Sequence, residues 1–514
     1  MEAVSVGLRE RDRKVIRIFC DKKEKDLKNF WGHIVFHPTN AIEDDWGKLY
    51  LDKIAEDGAA RTIRIYSMFE EMVTLDESGE MVFDFSGNDA RIDYLLEKGF
   101  TPHISYGFFP PWLAAEQEET FIRQRYKGAD IVASYPADYS KWEEICRVYT
   151  KHLIDRYGEE TVTKWRVHCY NEPDSWAFFH KSADRRGRVV EYFKLYEAFV
   201  RGVTSVCDKI RLGAPGLAEN PRSHEFYTDF LELVKENGTR LDFITFHAYG
   251  TTGTHLKQGM EVFDARGALH QILDVTRLAK MYGFGNVPFM VDEWGAATAG
   301  YSGKDMNPHM ELRENEKYSA YFVRMLTLFD ELNLPVEEMM ICLSGQHDLK
   351  EDFGGHRNFF SKSFYPKPIY NAHVLANKLG DAKLHYYTER DHDEYVSVLP
   401  SRHSGDGHMS VLMCYADDAF SAKRPTADFE VKFSNLDKEY RVVKYIIDKT
   451  HANAYTKFLE LGEPQNASPE VQQQIRDAGA LVAEECGTVT PQNELITVNM
   501  TENAVILLEL YPEN

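Results

Sequence analysis

Eight short apolar runs, each followed by a stretch with helical spacing, fill residues 30 to 377 and constrain this chain more than anything else in it. The runs are Gly32–Phe36, Thr62–Tyr66, His103–Tyr106, Trp165–Tyr170, Ile210–Ala214, Phe243–His247, Phe289–Val291 and Met339–Leu343. Their length and their β-branched and aromatic content predict strands. Between them the period changes. Val189, Phe193, Tyr196, Val200 and Val203 recur at spacings of four, three, four and three, one apolar face of a helix. Such a stripe is packing core. Helices between strands force parallel pairing, so every strand points its C-terminal end to the same side. Eight strands of this kind predict an α/β fold, a (β/α)8 TIM barrel, whose chemistry sits on that C-terminal face.

Beyond about residue 383 the pattern turns to short β-rich stretches: Tyr395–Leu399, Met409–Tyr415, Phe429–Phe433, Tyr440–Ile447 and Ala504–Leu510. Turn clusters such as Ser401–His408 separate them, and one helix-like stretch, Pro469–Ala480, interrupts them. This predicts an accessory C-terminal antiparallel β-sandwich. Lys14–Phe19 alternates in the same way and is expected to add a strand to it. The expected organisation is a segment 1–25 joining the sandwich, a catalytic barrel over 26–380 and the sandwich over 381–514.

Composition narrows the function. Of 514 residues, 60 are Lys or Arg and 82 are Asp or Glu, a net charge of −22. So acidic a surface repels phosphate backbones and anionic lipid, which argues against nucleic acid and membrane partners. Aromatic residues reach 13%, enough for sugar-stacking platforms, although packing uses the same side chains. Seven cysteines are scattered without CxxC pairs, the pattern of free thiols in a reducing compartment. The first residues show no apolar targeting run. A cytoplasmic location is the expectation, and the Asn-x-Ser/Thr triplets at Asn237, Asn466 and Asn499 are then chance matches.

Two carboxylates stand at ends of predicted strands. Trp165–Tyr170 leads into Asn171-Glu172-Pro173, and Val287–Val291 leads into Asp292-Glu293-Trp294-Gly295. Cleavage of a glycosidic bond needs one proton donor and one nucleophile or base. Asn-Glu-Pro alone is a common loop tripeptide. Two Glu on the fourth and seventh strands of one barrel are a far more specific signal.

The chain resembles family 39 of the glycoside hydrolases, the β-xylosidase type of clan A. Asn171-Glu172-Pro173 matches the acid/base strand and Asp292–Gly295 is similar to the nucleophile strand. Leu241–Tyr249, with its His-x-Tyr, resembles the sixth strand. Phe353-Gly354-Gly355 and Tyr365–Ala372 are similar to the segment after the eighth, and Ile447–Tyr455 with Leu461–Pro464 to the family's sandwich. The resemblance implies a retaining mechanism without a cofactor or metal. In it Glu172 is acid/base and Glu293 nucleophile. Asn171 contacts the sugar 2-hydroxyl, Tyr249 touches the nucleophile, His247 faces the sugar and Arg64 keeps Glu293 anionic. Trp294 beside the nucleophile would line the sugar site. The resemblance also leaves room for a homo-oligomer.

The chain departs from the family pattern around the sugar pocket. Tyr66 stands where the family has His. Ser344-Gly345-Gln346-His347-Asp348 replaces an acidic eighth-strand loop, making Tyr66 and His347 candidate sugar contacts. The first strand runs into His37-Pro38 instead of a Gly-rich turn. His33 and His37 have the spacing of a helical zinc pair, but the stretch is strand-like and lacks a metalloprotease motif. His33 is read as a sugar contact. Phe108–Trp112 after the third strand are candidate pocket walls. The expected function is removal of terminal sugars from plant-derived oligosaccharides, β-xylosidase-like. The alternatives are release of another sugar, such as L-arabinose, or a non-catalytic glycan-binding protein on the same fold.

Overall fold

The computed structural model describes residues 14–37, 42, 44–116, 132–180, 183–218, 223–250, 264–297, 303–344, 349–389, 395–418, 423 and 425–513. Eight strands close a barrel: His33–His37, Thr62–Tyr66, Thr101–Tyr106, Arg166–Cys169, Arg211–Leu217, Phe243–Tyr249, Phe289–Gly295 and Val336–Ser344. They pair in chain order and in parallel, and the eighth closes on the first with Ile341 opposite Ile34. Each of the eight expected runs overlaps one of these strands, with ends off by a residue or more in several. Their shared direction brings Tyr66, Cys169, Tyr249 and Gly295 to one mouth of the barrel.

Helices wrap the outside. Arg185–Thr204 buries the predicted stripe of Val189, Phe193, Tyr196, Val200 and Val203, and its N-cap Asp184 accepts a hydrogen bond from the Gly187 N–H. Burying a side chain of this size contributes roughly 1.5–3 kcal/mol. The helix approaches Tyr139–Tyr157 so closely at Gly202 that a Cβ there would lie 2.4 Å from the Glu143 carbonyl oxygen. The barrel interior is polar: Arg64, His103, His168, Thr245, Asp292 and Glu338 are all buried.

The C-terminal strands form a nine-stranded sheet. One face encloses a core that includes Ile16, Ile18, Met413, Val431, Phe433, Val442, Ile506 and Leu508. Val489 and Val498, from strands at its opposite edges, join the same core, so the sheet folds over on itself. Its other face sends Leu412, Cys414, Val505 and Leu507 into the barrel's own hydrophobic cluster. The N-terminal strand, Lys14–Asp26, lies inside this sheet. It pairs antiparallel with Ala382–Glu389 and parallel with Ala427–Ser434. The sheet is therefore mostly antiparallel, because a strand arriving from the far end of the chain is free of hairpin geometry. The sequence missed Ala382–Glu389, Glu484–Val489 and Leu495–Met500. All seven cysteines are free, six of them buried. Among the described residues no helix is long and apolar enough to cross a membrane.

Candidate active site

Glu172 leaves the fourth strand through a strained turn. Tyr170 and Glu172 both adopt positive φ, 71° and 48°, a region non-glycine residues enter at a cost and most often at functional sites. The Glu172 N–H donates to the Gly216 carbonyl at 2.8 Å. Gly216 has φ 67°, where glycine is favoured. This turn projects the carboxylate into the mouth and leaves it half-buried, with its Oε1 2.8 Å from His247 Nδ1.

Glu293 comes from the seventh strand, where a register shift between Val291 and Glu293 breaks the alternation. Its Oε1 accepts from Arg64 Nη1 at 3.1 Å and from the Tyr66 hydroxyl at 3.4 Å. Its Oε2 accepts from the Tyr249 hydroxyl at 2.8 Å, and that hydroxyl accepts from Arg357 Nη1 at 3.0 Å. Burial alone would raise the Glu293 pKa. The positive charges of His247, Arg64 and Arg357, with the Tyr249 hydrogen bond, outweigh it and hold this carboxyl far below its usual range. Asn171 is buried, and its Oδ1 accepts from Arg64 Nη2 at 2.9 Å and from the Tyr66 hydroxyl at 3.2 Å.

His247 stands between the two carboxylates, 2.8 Å from Glu172 and 3.6 Å from Glu293, with Asp292 3.9 Å behind it. Burial disfavours its charge, but Glu293, Glu172 and Asp292 together raise it from 6.5 to about 9. One oxygen of each carboxylate and one His247 nitrogen lie within 4.8 Å of one another. That trio has the spacing of a metal site, and equally that of two carboxylates bridged by a charged imidazole. The raised value has a consequence for stability. A folded-state pKa above the unfolded one stabilises in full below pH 6.5 and is lost as pH rises through about 9. We expect the Tm gap between wild type and His247→Gln to narrow over that window. A gap that stays constant would mean the ring is uncharged.

The structure brings Glu172, Glu293, Asn171, His247, Tyr249, Arg64 and Tyr66 together. Phe108 stacks on Tyr66, ring centres 6.0 Å apart. Two expected contacts lie elsewhere. His33 opens the first strand, so the chain direction sets it at the opposite end of the barrel, where its Nε2 is 3.4 Å from the Asn29 carbonyl. Trp294 faces outward and stacks on Tyr321 and Phe322 in the helix layer, at 5.9 and 5.7 Å. His347, with Gly345, Gln346 and Asp348, lies outside the described residues. Arg357 was missed by the sequence reading. Its only signal was its place, two residues beyond Gly355 in the segment that follows the eighth strand.

The barrel and a carboxylate pair with oxygens within 4.8 Å of each other fit a retaining O-glycoside hydrolase. An inverting pair needs roughly 6.5–9.5 Å for the intervening water. The sequence profile of Glycosyl hydrolases family 39 matches residues 14–493, and the chain belongs to that family. It is 26% identical over 535 aligned positions to a β-xylosidase of Geobacillus stearothermophilus, covering 97% of this chain and 95% of the relative. A β-xylosidase of Caldicellulosiruptor saccharolyticus is 25% identical, with 95% and 96% covered. Among solved structures, a monomeric β-xylosidase from Caulobacter crescentus superposes with a TM-score of 0.81 at 20% identity, over 98% of this chain and all of that one (100%).

Proposed function

We propose that this protein is an exo-acting hydrolase that removes terminal sugars from plant-derived oligosaccharides, with Glu293 as nucleophile and Glu172 as acid/base. The observation that carries the reading is the pair itself, two carboxylate oxygens within 4.8 Å of each other, Glu293 buried and Glu172 half-buried. Glu293 attacks the anomeric carbon while the glycosidic C–O bond breaks and the Glu172 proton passes to the departing oxygen. Glu172 then takes a proton from water, whose oxygen displaces Glu293 and frees the sugar. Arg64, Tyr249 and the charged His247 keep Glu293 ionised. Asn171, locked by Arg64, presents its amide to the sugar 2-hydroxyl.

The curated β-xylosidase relatives make a β-xyloside the first candidate. Tyr66 favours a second reading. Its hydroxyl already bonds Asn171 and Glu293, and hydroxyl recognition is where glycosidase selectivity is strong. A terminal sugar other than unsubstituted xylose, such as L-arabinose, or a decorated chain is then preferred. A panel of 4-nitrophenyl glycosides decides between them. We expect kcat/KM for the β-xyloside to fall below that for at least one other glycoside. A wide margin in favour of the xyloside overturns the second reading and leaves β-xylosidase, and hydrolysis of none of them overturns exo-hydrolysis.

A further inference from the structure

A chain of buried hydrogen bonds runs through the barrel interior and ends on Arg64. Glu338 Oε2 is 3.1 Å from His103 Nδ1, and His103 Nε2 is 2.9 Å from His168 Nδ1. His168 Nε2 is 3.3 Å from Arg64 Nη2 and 3.0 Å from Ser105 Oγ. These groups come from three neighbouring strands and the eighth, and all are buried. Nothing in the hydrolytic steps uses His103, His168 or Glu338.

The donor inventory fixes the direction of the chain. A guanidinium has only N–H groups to offer, so its bond to His168 requires a lone pair on Nε2. The His168 proton then sits on Nδ1 and goes to His103 Nε2. His103 is left with its proton on Nδ1, aimed at the Glu338 carboxylate. Every link is satisfied with both rings neutral. Burial and the Arg64 charge also push the His168 pKa well down.

We propose that Glu338, His103 and His168 are positioning residues that hold Arg64, and through it Glu293 and Asn171, in the geometry hydrolysis needs. The inference rests on Glu293 being the nucleophile. Arg64 Nη2 is shared by His168 and Asn171, while Nη1 serves Glu293 and the Asp292 carbonyl at 3.0 Å. Losing the His168 acceptor leaves the guanidinium plane free to turn, and displacing one end displaces the other. The charged and titratable groups facing the chain are Asp292, 3.6 Å from His168 Nε2, with His247 beyond it, and Arg166 and His33 near Glu338.

The test compares His168→Gln with His168→Asn. A glutamine amide reaches the place of Nε2 and gives Arg64 an oxygen, whereas asparagine reaches only the place of Nδ1. Both variants are polar and of similar bulk. His168→Gln is expected to keep most of the activity. His168→Asn is expected to lose kcat by about 10²-fold with KM little changed, as for an approximately 1 Å misplacement. Its acid limb of kcat/KM moves to higher pH, because Glu293 loses a fixed Arg64. Glu338→Ala, which leaves the His103 Nδ1 proton without its acceptor, moves the limb the same way by less. Equal kcat and equal acid limbs in the two folded His168 variants overturn the proposal. If His168→Asn does not fold, an unmoved limb in Glu338→Ala overturns it. Azide rescue of Glu293→Ala reads the nucleophile separately. Its failure removes the premise and the proposal together, while success with equal variants removes the relay alone.

Discussion

Glu293→Ala loses hydrolysis by about 10⁵- to 10⁶-fold, the scale on which an enzyme loses its nucleophile. The carboxylate is held ionised by Arg64, Tyr249 and His247 on a rigid strand, and no neighbouring group can take over its line of attack. Asp292, the adjacent acid, is fully buried and turned toward Arg64 and His168. Alanine leaves a gap that a small anion can fill. Added azide is therefore expected to restore turnover on an activated aryl glycoside and to yield a glycosyl azide of inverted configuration. No rescue, or a product of retained configuration, means that Glu293 is not the attacking group.

Glu172→Gln gives the second largest loss, and the loss depends on the leaving group. A general acid contributes about 10²- to 10⁴-fold when the departing oxygen needs its proton. An oligosaccharide or alkyl glycoside should therefore lose about 10³-fold. A dinitrophenolate leaves without a proton, so its first step proceeds almost unimpaired. Breakdown of the glycosyl-enzyme then becomes limiting because no base activates the water. A burst of phenolate followed by a slow steady state, with a lowered KM, is the expected trace. Equal losses for activated and unactivated substrates would remove Glu172 from the proton-transfer role.

The barrel was legible because each strand is an apolar run and a helix such as Arg185–Thr204 carries a 3.6-residue stripe between them. The pair was legible because both Glu follow such runs directly. Side-chain direction was not legible. Trp294 follows Glu293 in sequence but turns to the helix layer, and the register shift that sets this leaves no mark in residue type. His33 was misjudged since a strand's beginning and end look alike in a five-residue run, while only one of them reaches the site. Arg357 comes from a segment without periodicity and donates to the Tyr249 hydroxyl that in turn bonds Glu293. The polar barrel interior was invisible for a similar reason: His103, His168 and Glu338 are far apart in the chain and meet only when the barrel closes.

The account turns on which carboxylate becomes covalently bound to the sugar. An activated 2-fluoro glycoside of the preferred sugar slows breakdown of the intermediate and lets it accumulate. Digestion of the labelled protein followed by mass spectrometry then locates the sugar. The account predicts one label per chain, on Glu293, in the peptide containing Asp292-Glu293-Trp294-Gly295, and none in Glu172→Gln at any other position. A label on Glu172, on Asp292 or on any residue outside that peptide would contradict it.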